Sequence, residues 1–241
     1  MRIPTALLSI LAMSACGPND VVVKGIVFSG PDSVDERLPS AKITLYDADG
    51  ETYDTTRADA KGKFEAVAPE GEYIHAEITA SGFESTLFTG VSGLDEVYRV
   101  EDGMIYGFPT AELEVWEGLF AGCPGADESG GIVLGEIRML ELSQDGENPL
   151  VNGTAEVVSK NQKQTWKACY LDEEGLAYDP DATTAGPSGR FAIFGIAPGT
   201  RILTVGWEYI PEVWSYSDTY VFVQEDGVAP RFPSWVEWPE I

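Results

Sequence analysis

Few residues in this chain can do covalent or acid–base chemistry. It has three cysteines, Cys16, Cys123 and Cys169, and a single histidine, His75, among 40 acidic residues. The imidazole belongs to a stretch in which Ile74, Ala76, Ile78 and Ala80 alternate with Tyr73, His75, Glu77 and Thr79. Period two places His75 on the outward face of a strand, so it reads as an exposed polar side chain rather than a general base. No G-x-S-x-G, H-E-x-x-H or P-loop sequence occurs, and nucleophilic, zinc-peptidase and nucleotide chemistry therefore lack their parts. At this acid content, carboxylate pairs of the glycosidase kind arise by chance. Asp47, Asp49 and Glu51, or Asp179 and Asp181, could offer oxygens to calcium, but neither set has EF-hand spacing, and solvated turn acids are the plainer reading. Trp207, Tyr209, Trp214, Tyr216, Tyr220, Trp235 and Trp238 crowd one stretch near the end of the chain. Aromatic rings on a β-sheet bind sugars by stacking and protein partners as hot spots, the alternative being that half of them face the core. Trp207, Tyr209, Trp214 and Tyr216 form the candidate ligand-binding set. No catalytic residue, metal ligand or cofactor is expected.

At the N-terminus, Arg2 precedes an apolar run, Ile3 to Met13, that is too short to span a bilayer as a mature helix, and Ser14-Ala15-Cys16 closes it with small residues. The pattern resembles the lipobox of bacterial lipoprotein signals, with Met13 in place of the usual Leu. That resemblance implies cleavage before Cys16 and acylation of its thiol, which would anchor the chain to a membrane. Gly17 rather than Asp after the cysteine implies sorting to the outer membrane or cell surface. In an exported chain the two remaining cysteines, Cys123 and Cys169, are expected to form a disulfide, with two buried free thiols as the alternative. Closing a loop of roughly 45 residues is worth about 4 kcal/mol in the chain-entropy account.

The elements that must position these residues follow from a repeat. TTRADAKGKFEAVAPEG from Thr55 to Gly71 returns as TTAGPSGRFAIFGIAPG from Thr183 to Gly199. Each copy reads as turn, short strand with an inward Phe (Phe64, Phe191), turn, next strand. Two copies imply two similar β domains. Gly25-Ile26-Val27, Leu38-Pro39-Ser40-Ala41, Thr56 with Asp59 before Gly62 and Phe64, Pro69 and Gly71 before Tyr73, and Ser81-Gly82-Phe83 together resemble carboxypeptidase regulatory-like domains, which are small transthyretin-like sandwiches. Gly135-Glu136-Ile137, Pro149-Leu150 and Gly189 to Gly199 carry a fainter version. The resemblance is to an accessory domain and implies no peptidase activity.

The expected fold class is all-β, with two tandem Ig/transthyretin-like β-sandwich domains joined by a short helix-containing linker. Residues 1–16 are the signal, 17–108 the first sandwich, 109–130 an amphipathic helix and hinge, and 131–241 a second, divergent sandwich. Pro109-Thr110 offers the helix N-cap, Leu113, Trp116, Leu119 and Phe120 form an apolar stripe packed between the domains, and Pro230 to Ile241 reads as irregular. A formal charge of -25 repels phosphates, which argues against nucleic acid as a partner. The expected function is that of a non-catalytic, membrane-anchored structural, adhesion or protein-interaction module whose partner is an unidentified protein or polysaccharide. The alternative is carbohydrate binding through the aromatic face.

Overall fold

The computed structural model describes residues 20–30, 36–91, 97–99, 105–140, 152–210 and 212–237. The lipidation candidate Cys16 and the signal lie outside these residues. The first half contributes β1 (Asp20–Phe28), β2 (Lys42–Tyr46), β3 (Thr52–Arg57), β4 (Lys63–Pro69), β5 (Tyr73–Thr79), β6 (Phe83–Val91), β7 (Val97–Arg99), β8 (Ile105–Tyr106) and β9 (Phe108–Pro109). After α1 (Thr110–Leu119) come β10 (Gly131–Leu140), β11 (Gly153–Ser159), β12 (Thr165–Lys167), β13 (Cys169–Tyr170), β14 (Arg190–Ile196), β15 (Gly199–Ile210), β16 (Val213–Val223) and β17 (Gly227–Glu237).

The sequence repeat is a topological repeat. In the first half β1 pairs antiparallel with β4 and parallel with β7, while β2 lies between β3 and β5, and β5 pairs with β6. In the second half β10 pairs antiparallel with β14 and parallel with β17, while β11 lies between β12 and β15, and β15 pairs with β16. The chain is therefore all-β, with two sandwiches of the same plan. Each repeat phenylalanine lies opposite a glycine, Phe64 across from Gly25 and Phe191 across from Gly135. Both rings are buried in their cores. The tight turns leading into β4 and β14 place Gly62 at φ 74° and Gly189 at φ 66°, which L side chains rarely adopt.

Two edges fuse the sandwiches. β17 pairs parallel with β6 through Gly227↔Ser85 and Val228↔Thr86, which makes one nine-stranded sheet from the second layer of the first sandwich and the first layer of the second. Ile43, Leu45, Ile74 and Ile78 on one face of this sheet pack on Val23, Val27, Phe64 and Ala66. Towards its other end, the opposite face packs Val133, Ile137 and Ile193 against Val157, Leu203 and Val221, and Leu87 of β6 joins that core. A third cluster sets α1 against the common sheet, with Trp116 and Phe120 meeting Leu134, Phe194 and Val228. The apolar stripe of the helix lies in the junction, as its spacing indicates. Of the Pro109-Thr110 pair it is Pro109 that takes the N-cap position, with no side-chain cap, and Thr110 is the first residue of the helix.

The C-terminal stretch from Pro230, expected to be irregular, is instead part of β17 and pairs with β10 as far as Leu140↔Glu237. Proline is tolerated there because the pairing of β17 with β6 covers only its first two residues, so the missing amide costs no second ladder.

Candidate functional site

The exposed aromatic surface is built on the β15–β16 hairpin, whose outer member β16 is the edge of the four-stranded sheet β12-β11-β15-β16. Trp214 and Tyr216 alternate to one side, with rings nearly parallel (15°) and centroids 5.9 Å apart. Tyr216 is 62% exposed and Trp214 36%. Across the ladder Tyr216 faces Gly206, where an added Cβ would come within 2.7 Å of the ring, so the tyrosine lies over the space that the glycine leaves open. Trp214 faces Glu208, whose carboxylate accepts the Glu212 amide at 2.8 Å and closes the hairpin. Further along the same side the Thr204 hydroxyl donates to Asp218 at 2.7 Å.

The four aromatics of the candidate set divide. Trp207 pairs with Ser215, on the opposite side of the sheet from Trp214 and Tyr216, and packs against the core of the second sandwich. The side chains of Tyr209 and Trp235, and all of Trp238, lie outside the described residues. Tyr220 packs edge-on to Tyr73 of the first sandwich at 4.7 Å, so it belongs to the junction.

His75 is not the exposed side chain that strand alternation suggests. It is fully buried, because the polar face of β5 is covered by the end of β16. Its ring stacks on Phe222 at 4.4 Å with an interplanar angle of 2°. The hydrogen bonds fix the tautomer. The Thr200 hydroxyl donates to the Ala48 carbonyl at 2.9 Å, so towards His75 it accepts, from Nε2–H at 3.0 Å. Thr89 Oγ1 accepts the Phe222 amide at 3.1 Å and donates to Nδ1 at 3.0 Å. Both ring nitrogens are thus satisfied in the neutral form. Burial pushes the imidazole down to about 4; Lys160 and Arg231 add to the shift and Asp47 opposes it. Beside it, Glu77 accepts both the Tyr46 hydroxyl and the Ser85 hydroxyl at 2.6 Å, and burial together with that carboxylate raises the phenol's pKa.

The disulfide forms between Cys123 and Cys169, both buried, with Cα atoms 6.0 Å apart, and it ties the segment after α1 to β13. The calcium candidates close turns instead. Asp47 Oδ1 accepts the amides of Asp49 and Glu51, and Asp179 Oδ1 accepts that of Asp181. Among the described residues no group of three or more His, Cys, Asp or Glu side chains is placed to hold a metal ion.

No family model and no curated protein matches the chain. Solved structures do. A minor pilin of Streptococcus agalactiae shares 12% identity, with 92% of this chain and 98% of that one covered, at a TM-score of 0.31. The shaft pilin of Lactobacillus rhamnosus GG shares 11% identity, with 92% and 98% covered, at 0.28. The TIE protein of Bacillus anthracis shares 13% identity at 0.31, and the chain covers 90% of itself but spans only 34% of that structure.

Proposed function

We propose that this chain is a non-catalytic module held at the cell surface, on the outer membrane, by lipid on Cys16, and that it works by adhesion or protein interaction through the edge of its second sandwich. One observation carries this reading. Two large aromatic side chains, Trp214 and Tyr216, stand exposed on β16, the edge strand of a four-stranded sheet whose inner face packs on the shared nine-stranded one. Exposed Trp and Tyr on a rigid frame supply contact area at low entropic cost, as hot-spot residues do. The non-catalytic half of the reading is supported by His75, since an imidazole with both nitrogens bonded and no exposed surface cannot serve as a general base.

Carbohydrate binding is the second reading, favoured by the near-parallel rings with Glu208 and Asp218 on the same side, because ring faces stack on sugar C–H groups while carboxylates accept sugar hydroxyls. A glycan array and a surface-protein pull-down, each run with the wild-type chain and with Trp214→Ala, separate the two. Array signal that disappears in the variant supports the sugar, and capture of a defined protein that disappears supports the interaction module. Signals unchanged by Trp214→Ala and Tyr216→Ala together would remove the edge from both readings. For the anchor, labelled fatty acid should enter the wild type and not Cys16→Ser, and labelling of both would refute it.

A further inference from the structure

On the first sandwich, away from the aromatic edge, a cleft of about 690 Å³ opens where β3 and β4, the end strands of their sheets, approach one another. Its charge runs against that of the chain. Among the described residues Lys24, Arg37, Arg57 and Lys63 line it with Asp59 and Glu65, four cations to two carboxylates, in a chain with 15 basic and 40 acidic residues. Lys24 and Glu65 pair at 2.6 Å and neutralise each other. Asp59 spends Oδ1 on the amides of Lys61 and Lys63, at 2.8 and 2.9 Å. The Arg37 guanidinium lies 4.2 Å over the ring of Phe28, and Arg57 reaches only the Ser40 carbonyl, at 3.2 Å. Among the described residues no carboxylate lies within ion-pair distance of Arg57 or Lys63, although Asp59 attracts Lys63 at longer range, and both cations are exposed.

The same edge is closed to an added strand. Asp54 Oδ2 accepts the Val67 amide at 2.8 Å and Asp59 accepts that of Lys63, so side-chain carboxylates occupy amides that β4 would offer to an incoming peptide. A ligand here must be read by side chains. The rest of the surface repels a long polyanion, but at physiological salt that field is screened beyond about 8 Å, which leaves room for a short one. The volume suits a ligand of a few rings.

We propose that this cleft is a second binding site, which takes a short carboxylate-bearing oligosaccharide of the uronate type. Its carboxylates sit on the guanidinium groups of Arg57 and Arg37 and on Lys63, its hydroxyls reach Thr56 and Glu65, and its apolar face lies on Ile26. Arginine suits this role because its planar fork matches a carboxylate in two hydrogen bonds. The site shares no residue with the Trp214 edge, so either can fail alone.

The test is calorimetric titration of the full chain with a uronic acid trisaccharide, alongside a neutral trisaccharide of the same size, inorganic phosphate and an acidic hexapeptide. Binding of the uronate alone is expected, weakened about tenfold by Arg57→Gln and again by Lys63→Gln, and weakened by added salt. Lys163→Gln, at an exposed turn between β11 and β12 and outside both the cleft and the aromatic edge, should leave it unchanged. Both cleft substitutions are at exposed positions, and an unaltered melting temperature shows that the fold survives them. The proposal is overturned if the uronate does not bind, if the double variant binds it within about twofold of wild type, or if the peptide or phosphate binds as well as the uronate.

Discussion

His75 Nε2 lies 3.0 Å from the hydroxyl oxygen of Thr200, a hydrogen bond between residues 125 positions apart that joins the first sandwich to the second. Protonation would leave this bond in place but would turn Nδ1 into a donor facing the Thr89 hydroxyl, which donates to it in the neutral form. The folded protein holds His75 at about 4, below the usual 6.5, so between those values the unfolded chain binds more protons. This contribution to stability is complete above pH 6.5 and is lost as pH falls towards 4, for a total of about 3 kcal/mol. Many carboxylates titrate in the same window, so the readout is a difference. The urea-unfolding free energies of wild type and His75→Gln should converge by about that amount between pH 7 and pH 4. Parallel curves would show that the imidazole does not couple folding to pH.

The disulfide closes a separation of 46 residues and holds β13 beside the end of α1. Its chain-entropy contribution is about 4 kcal/mol. Dithiothreitol, or the double substitution Cys123→Ala with Cys169→Ala, should lower the unfolding free energy in urea by a corresponding amount, with a steeper slope because the unlinked denatured chain exposes more surface. A loss below about 1 kcal/mol would mean that the reduced chain is already constrained there.

Gly135 is a packing requirement rather than a flexible joint. A methyl group at this position would come within 2.4 Å of the Phe191 ring and 2.9 Å of the Arg231 carbonyl. Because the ring is fully buried and the carbonyl belongs to β17, neither can move aside cheaply. Gly135→Ala should therefore destabilise by about 1–3 kcal/mol despite its higher strand propensity, measured as a fall in melting temperature. A neutral result would show that the core around Phe191 can relax.

The repeat in the sequence carried much of the fold because turn glycines and an inward phenylalanine are local requirements, and each copy meets them alone. Phe64 and Phe191 both take the core position that their spacing indicates. The disulfide was legible from the cysteine count and the inferred compartment. The face of β5 bearing His75 was not, because alternation distinguishes two faces of a strand without telling what covers the polar one. The signal was nearby: Thr89 and Thr200, with one stacked ring, meet the needs of a buried imidazole, but they come from strands far apart in sequence. The aromatic set misled for a similar reason. Trp207 and Trp214 are both prominent in the sequence, yet the hairpin register sends them to opposite faces. The cationic cleft gathers residues from four separate segments, which no local pattern could group.

The junction also sets how the chain should unfold. β6 gives Leu87 to the core of the second sandwich, β17 gives Val228 to the cluster around α1, and the two strands share a ladder of two residue pairs. Unfolding either sandwich alone would expose these side chains and the buried His75 network, which makes the intermediate costly relative to its short ladder. Wild type should therefore melt in one calorimetric transition, with calorimetric and van't Hoff enthalpies equal. Val228→Asp buries a charge at that seam, at a position with no exposed surface, and should split the melt into two steps by releasing the sandwiches from each other. Two resolved transitions in the wild type would mean that each sandwich stands on its own core and that the shared sheet adds little to cooperativity.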